Sequence, residues 1–214
     1  MNVFDYLFDT SQGLDKDFVL GSQDSISFPE LYNNSLKIAS YLKDNVGEGN
    51  NIILISPNNI FFITAYLGIL KSGNTCVPLN FAVEQETLDF ISETTSCKNV
   101  FIAKSIYSKL NFAADIQCID ETQLTDIVGF QKILDFPYDF NDATVAEIIF
   151  TSGSTGAPKG VMITHGNMIS NTGSIVEYLE LTQKDIMCVV LPFFYCYGLS
   201  LLHTHLRAGG SIVL

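Results

Sequence analysis

Ten consecutive residues hold most of the chemistry this chain could perform: Thr151, Ser152, Gly153, Ser154, Thr155, Gly156, Ala157, Pro158, Lys159 and Gly160. Four hydroxyls, three glycines and a lysine are the composition of a loop that holds phosphate. Glycine lets backbone N–H groups turn toward an anion with no Cβ in the way. Hydroxyl donors rotate to fit the oxygens, and the Lys159 ammonium adds a point charge. An ordinary Gly/Ser turn is the competing reading. Two common phosphate motifs fail on spacing. A Walker loop needs a second glycine where Pro158 stands. A dinucleotide loop needs a third glycine in register with Gly153 and Gly156, and none is there.

The loop has to be delivered by a strand, and the apolar run Val145 to Phe150 directly precedes it. Upstream, strand and helix patterns alternate. An opening helix or arm leads to a hairpin-like stretch, Phe18 to Gly21 and Ser25 to Ser27. A helix follows with Pro29 near its start and Leu31, Ser35, Ile38, Ala39 and Leu42 at helical spacing, closed by Gly47 and Gly49. Asn51 to Ser56 reads as a buried strand, Ile60 to Lys71 as a buried helix with Gly73 past its end, and Thr75 to Leu79 as a strand. Glu84 to Thr95 reads as a helix and Asn99 to Ala103 as a strand. A further helix near Ser105 to Phe112 and strand near Ile116 to Ile119 follow, and Asp135 to Ala143 is a surface link. This order predicts an α/β fold, a mainly parallel sheet flanked by helices on both faces. Ligands of such sheets bind beyond the carboxyl ends of the strands, where the loop would sit.

The loop and its continuation, Val161-Met162-Ile163-Thr164-His165-Gly166-Asn167, resemble the phosphate-binding signature of the adenylate-forming enzymes: acyl-CoA synthetases, firefly-type luciferases and peptide-synthetase adenylation domains. Three further stretches resemble that family's motifs in family order. They are Ser27 to Leu31, Leu67 to Gly73 with Val77-Pro78-Leu79, and the aromatic stretch Leu191 to Leu199. By this resemblance the whole chain, residues 1–214, is the N-terminal portion of the large adenylation domain. The family's later Thr-Glu motif, ribose-binding aspartate, hinge and C-terminal lysine do not occur in it, so a truncated piece is expected.

The resemblance implies ATP-dependent activation of a small carboxylic acid through an acyl-adenylate, with coenzyme A or a carrier-protein thiol as acceptor. Thr151, Ser152, Gly153, Ser154, Thr155, Gly156, Lys159 and Gly160 would hold the ATP phosphates, and Lys159 would neutralise the departing pyrophosphate as the catalytic cation. Magnesium would accompany ATP, with its ligand in the part that is missing. Tyr195 and Gly198 would border the acid pocket. Many acyl-CoA synthetases and luciferases carry histidine where Tyr195 stands, so a carboxylate-orienting histidine does not carry over, and core packing of Tyr195 is the alternative. Tyr197-Gly198-Leu199-Ser200 leans toward acyl-CoA synthetases. Amino-acid adenylation is the nearest rival, and a non-catalytic nucleotide-binding module the rival from another class.

Composition narrows the classes. With 23 Asp and Glu against 11 Lys and Arg, the net charge is −12 and there is no basic run for a nucleic acid or an anionic membrane. Ile186 to Leu206 lacks charged residues other than histidine, but Pro192, Gly198 and several polar residues interrupt it, so strand, turn and helix are expected rather than a membrane span. Cys76, Cys97, Cys118, Cys188 and Cys196 show no metal or disulfide spacing and read as reduced core residues. No signal-peptide pattern is visible, which makes the cytoplasm the expected compartment. His203 and His205 on one helix would point apart, so no metal site is expected there. His165 reads as the start of a helix. The final residues, Gly209 to Leu214, read as a turn into an uncovered apolar strand whose edge could pair with a second copy.

Overall fold

A serine and a proline set the first long helix. The computed structural model describes residues 1–21, 24–136, 140–151 and 158–214. After a short helix α1 (Val3–Phe8), strands β1 (Asp17–Val19) and β2 (Ile26–Ser27) form the expected hairpin. Helix α2 (Phe28–Asn45) follows, its first turn holding Pro29 and its N-terminus capped by the Ser27 hydroxyl. Strand β3 (Asn51–Ile55), helix α3 (Ile60–Lys71) and strand β4 (Thr75–Leu79) come next. Every residue of α3 from Phe61 to Lys71 is buried, as an all-round apolar helix must be. Its one cation, Lys71, reaches Asp5 at 2.7 Å.

Helix α4 (Gln85–Thr94), strand β5 (Asn99–Ile102), the one-turn helix α5 (Lys104–Tyr107), strand β6 (Gln117–Ile119) and helix α6 (Glu121–Phe130) continue the alternation. Two details differ from expectation. The helix after β5 is only one turn long. Helix α6 was not expected at all; it opens on a full capping box, Asp120 and Gln123 exchanging bonds with each other's backbone. The link from Asp135 to Ala143 has no helix or strand where it is described, and Pro137, Tyr138 and Asp139 lie outside the described residues. Its Phe140 is not merely surface, since its ring meets the buried His165 edge-on at 4.7 Å.

Strand β7 (Val145–Thr151) and strand β8 (Lys159–Thr164) complete the larger sheet, and helix α7 (His165–Tyr178), strand β9 (Ile186–Cys188), helix α8 (Cys196–Ala208) and strand β10 (Ser211–Val213) finish the chain. The larger sheet has the order β6-β5-β3-β4-β7-β8, parallel throughout except for β8. A second sheet, β2-β1-β10-β9, was not foreseen; β10 joins β1 in parallel, bringing Ile212 opposite Val19. The reading of the last strand as an uncovered edge is therefore corrected. β10 lies between β1 and β9, its neighbours on both sides take up its backbone groups, and the edge argument for a second copy falls away.

Alternation along the strands separates two cores. Ile52, Leu54 and Ile149 face the larger core with α1, α2, α3 and α8. Ile53, Ile55, Val77 and Leu79 face Leu88, Ile91 and Ile106 of α4 and α5. The cysteines divide too, contrary to expectation: Cys76 and Cys97 are buried, Cys118 half-buried, and Cys188 and Cys196 exposed. Among the described residues no helix is long and apolar enough to cross a membrane.

Candidate functional site

Chain direction opens a crevice between β4 and β7. From β4 the chain returns through α4 to β5 on the far side of β3, whereas from β7 it leads outward to β8. Connections that diverge from adjacent strand ends leave room for a ligand between them. A hollow of about 280 Å³ lies there, bordered by Leu79 and Asn80 after β4, Phe150 and Thr151 at the end of β7, Pro158 before β8, and Phe194 and Tyr195.

The β7–β8 hairpin sets the two ends of the glycine-rich loop opposite one another. Thr151 and Lys159 are register partners, and the Thr151 hydroxyl donates to the Lys159 carbonyl at 3.4 Å. Both residues are exposed at the mouth of the sheet. Gly160 pairs with Phe150, and a Cβ on it would lie 2.8 Å from Ile148 Cγ2 and 3.2 Å from the Phe150 ring. A side chain there would push Phe150 away from the hollow it lines. Ser152, Gly153, Ser154, Thr155 and Gly156 lie outside the described residues.

The opposite wall comes from the aromatic stretch before α8. Asn58, in the turn after β3, holds it with two bonds: its amide donates to the Leu191 carbonyl, and its oxygen accepts from Phe193 N–H, each at 2.8 Å. Phe193 is thereby buried against Phe62, 5.4 Å between ring centres. Phe194 and Tyr195, ring centres 4.5 Å apart, turn toward the hollow. Tyr195 is the N-cap of α8 and is 52% exposed, so packing does not consume it. Asn58 was not singled out in the sequence, although Pro57-Asn58-Asn59 after an apolar strand is turn chemistry that could have drawn attention.

Gly198 does not border the hollow among the described residues. A Cβ there would sit 2.2 Å from the Pro192 carbonyl oxygen, and glycine alone lets the first turn of α8 close on the stretch that carries Tyr195.

A second polar group lies on the other side of β7. Glu147 is buried and accepts from the Tyr66 hydroxyl at 2.8 Å; the same hydroxyl oxygen is 2.9 Å from His203 Nε2. With the single phenolic proton given to Glu147, His203 carries its proton on Nε2 and donates it to Tyr66. Burial raises the Glu147 carboxyl to about 7 against the pull of the Tyr66 bond, and lowers His203 to about 3. Burial also raises the Tyr66 phenol, with the Glu147 charge adding to the effect. A cavity of about 230 Å³ borders Glu147 and His203. No sequence reading pointed to Glu147, yet an acid inside Val-Ala-Glu-Ile-Ile-Phe was a visible anomaly.

The histidines behave separately. His205 Nδ1 lies 2.9 Å from the Leu201 carbonyl of its own helix, away from the Tyr66 network that holds His203. His165 opens α7 as expected; its Nδ1 accepts from Val3 N–H at 3.1 Å, and burial lowers it to about 4. Among the described residues no cluster of three His, Cys, Asp or Glu could hold a metal ion.

A family model described as AMP-binding enzyme matches residues 9–214. The chain is 28% identical over 197 residues to 4-coumarate–CoA ligase 1 of Petroselinum crispum, covering 84% of this chain and 36% of that protein. It is 28% identical over 193 residues to surfactin synthase subunit 1 of Bacillus subtilis, covering 89% of this chain and 5% of that protein. The crystal structure of ATP-bound MatB from Rhodopseudomonas palustris superimposes with a TM-score of 0.86 at 25% identity, covering all of this chain and 44% of that one. The chain thus spans about a third of a ligase-sized relative and under half of the matched structure.

Proposed function

The chain belongs to the AMP-binding enzyme family, and from that premise we propose that it serves ATP-dependent activation of a carboxylic acid through an acyl-adenylate. A free carboxylate makes a poor acyl donor because its leaving group is oxide-like. Attack of the carboxylate oxygen on the α-phosphorus of ATP forms the acyl–phosphate bond and breaks the bond to pyrophosphate, and AMP then leaves readily. Positioning and charge stabilisation are what the protein must supply.

The observation that carries this reading is the placement of Thr151 and Lys159, paired at the carboxyl end of β7 beside the hollow that Tyr195 borders. In this proposal the Thr151 hydroxyl, with Ser152, Gly153, Ser154, Thr155 and Gly156, cradles the β- and γ-phosphates. Lys159 neutralises the leaving pyrophosphate, and Gly160 keeps Phe150 in the wall of the hollow. Tyr195 borders the acid or adenylate, and Gly198 holds its stretch close. Magnesium would accompany the phosphates; the described residues offer it no acidic cluster, so no step is assigned to it.

A thiol takes the acyl group afterwards. Likeness to a CoA ligase supports coenzyme A as that thiol, and likeness to surfactin synthase supports a carrier protein and an amino-acid substrate. Binding of nucleotide without chemistry is the second reading, favoured by the absence of any charged side chain among the described residues bordering the hollow. Carboxylate-dependent exchange of pyrophosphate into ATP, run with short, medium and aromatic acids and with amino acids, decides between them. Exchange with one acid supports activation and names its class; nucleotide binding with no exchange supports the second reading.

A further inference from the structure

The cavity behind β7 is built unlike an ordinary packing void. Its walls come from Ile163 of β8, Met168 and Asn171 of α7, and Cys196 and Ser200 of α8, and Glu147 and His203 lie at one end. Empty cavities in protein cores are apolar as a rule. Here a carboxylate that is 97% buried, from its 3% exposure, borders the space. Among the described residues its only partner is the Tyr66 hydroxyl, which occupies Oε2, and no described donor meets Oε1. Glu147 lines the cavity, so a ligand donor placed there could meet the carboxylate oxygen that Tyr66 leaves free.

The cavity also has a direction. Cys196, Ser200 and His203 lie along one face of α8, so it runs from the first turn of that helix inward by roughly 10 Å at the helical rise. Tyr195, one residue before Cys196, borders the hollow at the glycine-rich loop. Along β7, Glu147 stands four residues before Thr151, about 13 Å at the strand rise. An acid whose carboxyl end lies beside Tyr195 could therefore extend its tail along α8 to Glu147.

We infer that Glu147 determines specificity: it receives the far end of the acid, and the acids bound best carry a hydrogen-bond donor there, a hydroxyl or an amine. This rests on the activation reading for the near end of the site, and the apolar wall of Ile163 and Met168 takes the methylene chain between. A plain alkyl tail leaves Oε1 unpartnered, and a site built around a buried acceptor discriminates against the ligand that lacks the donor.

The test uses the whole chain labelled with ¹³C at glutamate side-chain carboxyls, the Glu147 line being assigned with Glu147→Gln. n-Hexylamine, which has no carboxyl, and 8-aminooctanoate are each expected to shift the Glu147 line, and filling the cavity with Ser200→Phe is expected to abolish both shifts. In pyrophosphate exchange, 8-hydroxyoctanoate and 8-aminooctanoate are expected to exceed octanoate at least tenfold, a preference lost in Glu147→Gln. An unmoved Glu147 line with both amines overturns the proposal, as does exchange with octanoate equal to that with its hydroxy and amino counterparts. A shifted line together with no exchange for any acid would instead remove the activation reading and leave Glu147 as a donor-binding site.

Discussion

Asn58 ties the backbone of Phe193 to the end of β3: its side-chain oxygen accepts from Phe193 N–H at 2.8 Å across a sequence separation of 135 residues. One asparagine thus fixes the aromatic stretch that carries Tyr195 to the sheet that carries the glycine-rich loop. Replacing it tests how far the two walls of the hollow depend on each other.

Asn58→Ala removes both bonds, to Leu191 and to Phe193, and is expected to cost about 1–3 kcal/mol at roughly 1 kcal/mol per bond plus the unmet Phe193 donor. Asn58→Asp keeps the acceptor for Phe193 and loses the donor to Leu191, so it should fall between. Urea denaturation of the three proteins checks the order.

Gly198→Ala is expected to destabilise by at least about 2 kcal/mol, because a Cβ 2.2 Å from the Pro192 carbonyl oxygen forces backbone apart rather than a flexible side chain. Gly129→Ala, at a helical glycine whose Cβ would meet nothing within 4 Å, should be neutral or slightly stabilising. Equal melting temperatures for the two variants would contradict this account of Gly198.

Much of this arrangement is legible in the sequence. The largely apolar Ile60 to Lys71, the Ser27-Phe28-Pro29 start and the strands around Gly73 left little choice of element. What escaped was non-local. Pairing of residue 19 with residue 212 depends on which strands lie adjacent in space, and no period in the sequence records that. Local composition marked out one loop, of which the structure describes the paired ends Thr151 and Lys159. It did not mark single residues that meet from afar, as Asn58 meets Phe193 and Glu147 meets Tyr66. Cys196 was misplaced because an apolar neighbourhood does not reveal that the first turn of a helix faces outward.

The buried titrating groups make stability depend on pH in two opposite ways. Glu147, raised from its ordinary 4.5 to about 7, keeps its proton longer in the folded chain, so its contribution is fully present below about 4.5 and is lost as pH rises through 7. His203 at about 3 and His165 at about 4 resist protonation when folded, so theirs is present above 6.5 and is lost as pH falls toward those values. Between pH 4.5 and 6.5 the lowered histidines, His205 with them, outweigh the one acid, and stability should rise with pH. Glu147→Gln removes the opposing group. Its stability relative to the wild type should climb by on the order of 3 kcal/mol from pH 4.5 to 7.5, read from urea midpoints at fixed salt.

The most direct measurement is titration of the chain with ATP, followed calorimetrically and by ³¹P resonance, beside Lys159→Ala. Lys159 is exposed and makes no described side-chain bond, so the variant should keep its melting temperature while losing at least about tenfold in affinity, the size of one charge-assisted contact. The β- and γ-phosphate lines should shift in the wild type and much less in the variant. Absence of ATP binding, or binding indifferent to Lys159, would contradict the assignment of residues 151–160 to the ATP phosphates.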